Sequence, residues 1–459
     1  MKIAVWAVFP SSNSWRGEGI TQTLENILKS SNKSVYFELC VAPWHAESVR
    51  DVFENVTNVS IRVVGIQLSK TKKYDIDLLI DSDAKLSKIA YIIFNNKFAR
   101  LVNLVFDLLY NKIFTYLYQS RITKKVDAVY FPTPFMNVKS KIHKIYSFWD
   151  PFVFEYAHFG SSRQIALSIL TKNLTQASKI VTQSQANKKY LVEVLSIDSD
   201  IIQVIPLGSP DYSEFYDSNI NKLSDSNMSL VPLIKSWPEK NAYFSNSLRS
   251  AKNEYLKQML NKSTYFRLIC SVKRKDRVIL VSTQSRPYKG INSFLEVINE
   301  LNRRNYNTKT YVIFTTQFTD DQRQYFDRKY SWFVDRVFEM SRLSASQHAF
   351  LYQLCDLVIH PSFVEGGPTL FPGAEAASVN RPSLTNKGRH TSELVEFTDD
   401  DLEPIFCDIL DIESTVSKIE VLTSDQDAIC KNIDLVKKTM VNWRVVGEEY
   451  SNLFLGTKL

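Results

Sequence analysis

Apolar residues in this chain fall in short continuous runs separated by stretches with helical spacing, and that alternation predicts parallel strands joined by helices. The runs Ile3 to Phe9, Val35 to Val41, Ser60 to Gly65, Ala128 to Phe131 and Lys179 to Gln183 have strand length and are bounded by polar segments. A strand buried on both faces has no polar side to alternate with, so such runs suit a parallel sheet. After the first run, Ile20, Leu24, Ile27 and Leu28 recur on one helical face. Ser184 stands where it would cap a helix after the fifth, and a further strand ends at Pro206. A second series opens with Val278 to Ser282 and a helix carrying Ile291, Phe294, Leu295, Val297 and Ile298. Strands at Tyr311 to Thr315, Arg336 to Phe338 and Leu357 to Ile359 follow, with a helix at Gln347 to Leu354 before the last of them. The tail, NWRVVGEEYSNLF, is amphipathic.

Two such series in 459 residues exceed one ordinary core and predict two α/β domains. Residues 1–210 form the first, with a helical insertion at about 74–125. Residues 211–275, rich in Ser, Asn, Asp and Lys, read as a connection enlarged by an insertion. Residues 276–440 form the second domain, and 441–459 a closing helix. A hydrophobic content of 44% with 12% aromatic residues suits a packed protein rather than a disordered one. Cys40, Cys270, Cys355, Cys407 and Cys430 lie far apart, which argues for a reducing cytosol and against disulfides or zinc. The opening MKIAVWAVFP stops at Pro10 without a small-residue cleavage site, so it reads as a strand and not a signal peptide. The apolar segment Phe98 to Tyr118 is broken by Asn103, Asp107, Asn111 and Lys112, and no membrane crossing is expected.

Charge changes the picture in one respect. Of the net +7, residues 1–210 hold 25 Lys and Arg against 17 Asp and Glu, while the rest hold 31 against 32. That basic half has two readings, a solvated surface or a site for an anionic partner such as a membrane face or a lipid diphosphate. Nucleic acid is disfavoured, because the basic residues are not interleaved with aromatics in a recognisable module.

The candidate chemistry centres on LYQLCDLVIHPSFVEGGPTLFPGAEAASVNRP, residues 351–382. A buried strand (Leu357, Val358, Ile359) runs into a loop holding Glu365, Gly366 and Gly367, where missing side chains let backbone amides approach a ligand. Pro372 suits the first turn of the next helix. Unpaired amides and the helix dipole make this corner a site for anions, and its glutamates can accept hydrogen bonds from vicinal hydroxyls. Arg286 and Lys289 follow the Val278 strand at its carboxyl end, where open α/β sheets bind ligands. Gly17 and Gly19 make a second glycine loop ahead of the first helix.

Pro361, Ser362, Glu365, Gly366, Glu375, Ala376 and Pro382 resemble the donor-binding signature of family-four retaining glycosyltransferases, which have the GT-B fold of two Rossmann-like doubly wound domains facing across a cleft. The passage from Ala177 to Gly208 resembles the end of that family's first domain, and Glu393 matches a further turn. Two departures stand out. The glutamates are separated by nine residues instead of the commoner seven, and Asn380 occupies a position usually held by glycine. The resemblance implies transfer of a sugar from a nucleotide-diphosphate donor, with retention, without metal or other cofactor, and with a last helix that crosses back to the first domain. It implies that Arg286 and Lys289 hold the diphosphate, Glu365 the donor sugar and Glu375 the ribose, with Gly19, Gly366, Gly367, Thr369 and Leu370 also lining the donor. Gly17, Asp150 and His158 fall on the acceptor side, and Trp149-Asp150 replaces the family's usual His-Asp. The acceptor it implies is a glycan or a lipid-linked glycan in cell-surface polysaccharide synthesis, met in the cytoplasm or at the inner membrane face.

Two other enzyme readings and one non-enzymatic reading remain open at this point. DLLIDSDAKL contains Asp81 and Asp83, which resemble the metal-binding Asp-x-Asp of the GT-A fold; a capped helix starting near Ala84 explains the same residues. A nucleotide-sugar epimerase of the same architecture would need no acceptor, and a non-catalytic relative would only bind.

Overall fold

The computed structural model describes residues 1–9, 15, 19–64, 125–138, 141–149, 160–216, 276–305, 308–340, 343, 345–365, 367–388, 391–394 and 401–456. The chain divides into two compact units, Met1–Gly208 with Val441–Leu459, and Ser209–Met440. All but Lys125 of the insertion at 74–125, Asp81 and Asp83 included, and residues 217–275 lie outside the described residues.

In the first unit the strands are β1 (Lys2–Ala7), β2 (Tyr36–Val41), β3 (Val59–Val63), β4 (Ala128–Phe131), β5 (His143–Phe148), β6 (Lys179–Thr182) and β7 (Ile202–Val204). They pair in parallel in the order β3-β2-β1-β4-β5-β6-β7. Alternate residues of β1 feed two cores. Ile3, Val5 and Ala7 pack with helix α1 (Gly19–Ser30), whereas Ala4 and Trp6 face the side of α3 (Gly160–Leu174) and α4 (Gln185–Leu195), α2 being Ala46–Phe53. Ser184 caps α4, its Oγ accepting from the Asn187 amide at 3.0 Å, as the sequence indicates.

The second unit repeats the design with β8 (Arg277–Val281), β9 (Thr310–Phe314), β10 (Val337–Glu339), β11 (Leu357–His360), β12 (Ser383–Asn386) and β13 (Phe406–Cys407). Its order is β10-β9-β8-β11-β12-β13, again parallel. Ile279, Val281 and Ile359 pack against α5 (Ile291–Arg304) and α9 (Ile412–Leu422). Val278, Leu280 and Val358 pack towards α7 (Ala345–Leu354) and α8 (Phe371–Ser378). Two further helices among the described residues here are α6 (Asp320–Tyr330), opened by a capping box of Thr319 and Gln322, and α10 (Gln426–Lys438).

The closing helix α11 (Trp443–Gly456) belongs to the first unit, where Tyr450 and Phe454 set their rings edge-on to Tyr130 at 6.2 and 5.5 Å. It approaches α1 closely enough that a Cβ on Gly447 would stand 2.3 Å from the Ser30 carbonyl oxygen, so only glycine fits that crossing. Among the described residues no helix is long and apolar enough to cross a membrane.

Candidate active site

A doubly wound sheet opens a crevice outside the carboxyl ends of its strands where the order of winding reverses. In the second unit that point lies between β8 and β11. The loop leaving β8 is tied down by its neighbours: the Thr283 and Ser285 amides donate to the Thr315 and Thr316 hydroxyls, each at 3.0 Å. A short 3₁₀ turn, Pro287–Lys289, then presents the two cations. Tyr288 organises both, since its hydroxyl accepts from Arg286 Nη1 at 2.8 Å and its ring lies 5.3 Å from Lys289 Nζ.

Gly290 ends this turn and begins α5 with φ +67°, in the left-handed region. A Cβ there would sit 2.1 Å from the Pro361 carbonyl oxygen, so the glycine lets the β8 loop close against the β11 loop. The Phe363 amide completes the join by donating to the Tyr288 carbonyl at 2.9 Å.

Across that join Lys289 Nζ donates to Glu365 Oε1, an ion pair whose side chains keep only 11% and 26% of their exposure. The same oxygen lies 2.7 Å from Nε2 of His360, the last residue of β11. His360 Nδ1 stands 3.3 Å from the Ser282 carbonyl at the end of β8. The residues assigned separately to diphosphate and to sugar are thus in contact with each other.

Glu375 is held apart from that cluster. It sits on α8, where Tyr352 donates to its Oε2 and Tyr212 to its Oε1, the latter at 3.2 Å. Tyr212 Oη also lies 2.9 Å from His348 Nδ1, whose Nε2 is 3.4 Å from Ser282 Oγ. Burial raises the Glu375 carboxyl to about 7, against the two tyrosine hydroxyls, which lower it. Burial pushes His348 down to about 4. Ser282 therefore touches both groups, His360 through its carbonyl and His348 through its hydroxyl.

The other sequence candidates are distributed as follows. Gly367 is buried in the β11 loop, Thr369 accepts from the Phe371 amide at 3.1 Å through its carbonyl, and Leu370 stands at the start of α8. Gly19 begins α1 in the first unit, is exposed, and has open space where a Cβ would go. Gly17, Asp150, His158 and Gly366 lie outside the described residues. Asn380 resolves one departure: its φ is 57°, a left-handed conformation that asparagine tolerates best after glycine, and its Oδ1 accepts from Lys437 at 3.0 Å.

Sequence reading passed over Tyr212, Ser282, Tyr288, Gly290, His348, Tyr352 and His360. Two of these left a signal: His360 is a polar residue closing an apolar strand directly before Pro361-Ser362, and Gly290 follows the cations at a helix start. A cavity of about 490 Å³ lies at the other end of the sheet, against Asp356 and Pro382, which precede β11 and β12. Arg381 in its wall is committed to the Gln353 carbonyl at 3.0 Å through Nε, and the strand ends there are the wrong ones for this fold.

Two parallel sheets of this order, each wrapped by helices, define the GT-B fold expected from the sequence. Solved structures match it over almost the whole chain. Sucrose-phosphate synthase from Thermosynechococcus elongatus is 11% identical with a TM-score of 0.60, covering 99% of this chain and 98% of that one. Anabaena HepE in complex with UDP-glucose is 14% identical with a TM-score of 0.57, covering 99% and 100%. The trehalose-6-phosphate phosphatase N-terminal domain of Candida albicans is 13% identical with a TM-score of 0.58, covering 100% and 97%. No family model and no curated protein sequence matches the chain.

Proposed function

We propose that this protein is a glycosyltransferase that moves a sugar from a nucleotide-diphosphate-sugar to an acceptor. The observation that carries this reading is the Lys289, Glu365 and His360 cluster at the carboxyl ends of β8 and β11, with Arg286 beside it. HepE, a solved structure of the same fold, holds UDP-glucose, which supports a nucleotide sugar as the donor here. Departure of the nucleoside diphosphate develops negative charge, and Lys289 and Arg286 are mounted on a braced turn to meet it. Preorganised cations of this kind do the work that a divalent ion does elsewhere, so the reaction needs no metal or other cofactor. Glu365 then accepts hydrogen bonds from donor-sugar hydroxyls, Glu375 serves the ribose, and the transferred sugar keeps its anomeric configuration.

The acceptor is a glycan or lipid-linked glycan of a cell-surface polysaccharide, met in the cytoplasm or at the inner membrane face, for which the basic excess of residues 1–210 is the support. Incubation with labelled nucleotide sugars, with and without glycan acceptors and with EDTA, tests the reading. Acceptor-dependent nucleotide release that survives EDTA is expected. Conversion of the donor without acceptor would favour an epimerase, loss of activity restored by manganese would favour a metal site, and no turnover with any donor would leave a binding protein.

A further inference from the structure

His360 is placed in a way that the assigned roles of Glu365 and Lys289 do not explain. It is only 8% exposed, sits on a central strand in register with Thr385 of β12, and spans from the Ser282 carbonyl on one side to Glu365 on the other. Glu365 belongs to a loop, whereas His360 belongs to the sheet. Precision in a site comes from side chains mounted on rigid elements.

Lys289 and His360 converge on one oxygen, Glu365 Oε1. Lys289 cannot give its ammonium fully to a diphosphate while it also neutralises this carboxylate. A carboxylate that gives up its lysine to a diphosphate is held less firmly and repels the incoming phosphates. The 2.7 Å contact from Nε2 supplies a second donor that no phosphate competes for, because the ring is buried beneath the loop.

Resting on the transferase reading, we infer that His360 is a positioning residue: it retains Glu365 through Nε2–H while Lys289 passes from Glu365 to the donor diphosphate. The carboxylate then stays aimed at the sugar during the exchange. Affinity for the diphosphate comes from Lys289 and Arg286, so His360 acts on the chemical step more than on nucleotide binding.

The test compares His360→Leu with His360→Gln. Both lose the contact to Ser282, but only glutamine keeps an N–H that reaches Glu365. Free UDP and GDP are titrated by calorimetry, and turnover is followed with UDP-glucose and GDP-mannose in the presence of the glycan acceptors as nucleotide release. Expected for His360→Leu is a fall in kcat of about tenfold to a hundredfold, the scale of a misplaced reacting group, with nucleoside diphosphate affinity within about twofold of wild type. His360→Gln should recover most of kcat. Wild-type kcat in His360→Leu, or no recovery in His360→Gln, overturns the role of His360 and leaves the transferase reading intact. Failure of the wild-type protein to bind or turn over any of these nucleotides overturns both.

Discussion

Glu365 and Glu375 are ten positions apart, and their surroundings are opposite in kind. Glu365 is met by a lysine ammonium and an imidazole across a loop junction. Glu375 is met by two phenolic hydroxyls, Tyr352 and Tyr212, neither of which brings charge. Burial then costs Glu375 its anionic form near neutrality and raises its carboxyl to about 7. In the proposed reaction the first site exchanges a charged partner for a ligand. The second keeps a carboxyl that burial raises to about 7, and its donors are neutral where those of the first include a cation.

Breaking the junction should cost most. In Gly290→Ala the new Cβ meets the Pro361 carbonyl and the backbone keeps a left-handed φ, so the charged cluster must open while Tyr352, Tyr212 and Glu375 are untouched. A loss of about 3 to 5 kcal/mol in urea-unfolding stability is expected, from strain and overpacking together. Unchanged stability would mean that the two loops are not locked.

The next prediction isolates the phenolic site. Between the usual carboxyl value of 4.5 and about 7, folded Glu375 binds a proton that the unfolded chain does not, so its contribution is complete below about 4.5 and is lost as pH rises through 7. His348 runs the other way. Between about 4 and 6.5 the unfolded chain binds the proton, and stability is lost as pH falls. The two slopes oppose each other across their shared window. Glu375→Gln should therefore gain on wild type as pH rises from 4.5 to 7, and His348→Gln should fall behind wild type from 4 to 6.5, each by about 3 kcal/mol at most. Urea midpoints for the three proteins at several pH values would show this; parallel curves would refute it.

Glu365→Ala tests the charged site at its centre. The protein should fold, and transfer should slow about a hundredfold, as when a transition-state contact is removed. Undiminished turnover would take Glu365 out of the site. Smaller still, Lys289→Ala and Arg286→Ala should each weaken donor and nucleoside diphosphate binding by about 1.5 to 3 kcal/mol while leaving the bare nucleoside almost unchanged. Equal weakening of all three ligands would remove these cations from the phosphates.

Most strands were legible because parallel strands buried on both faces leave continuous apolar runs, as in β1, β8 and β11, whereas β5, β12 and β13 were not, being short or interrupted by polar residues (HKIYSF, SLTN, FC). The cations and Glu365 were legible because each stands directly after such a run. Tyr212, His348 and Tyr352 were not, since three positions spread over about 140 residues set their rings against one another only after folding and follow no period. His360 was hidden by its neighbours: read along the chain it ends a strand, and only the fold turns its ring onto a loop carboxylate. Asn380 shows the reverse case, a departure from the family pattern that the backbone explains, because the left-handed turn needed there is open to asparagine as well as glycine.

The discontinuity of the first unit bears on how the protein is made. Chains usually complete their domains in order as they leave the ribosome. Here all of Ser209–Met440 is synthesised before α11, so the second unit can close while the first still lacks the helix whose Val446, Tyr450, Leu453 and Phe454 finish its core. Until then the apolar faces of α1 and β4 stay uncovered, with Tyr130 and Phe37 awaiting Phe454. The nascent chain therefore has a built-in interval of vulnerability, and a premature stop shortly after residue 440 would yield a sound second unit attached to an unfinished, aggregation-prone first.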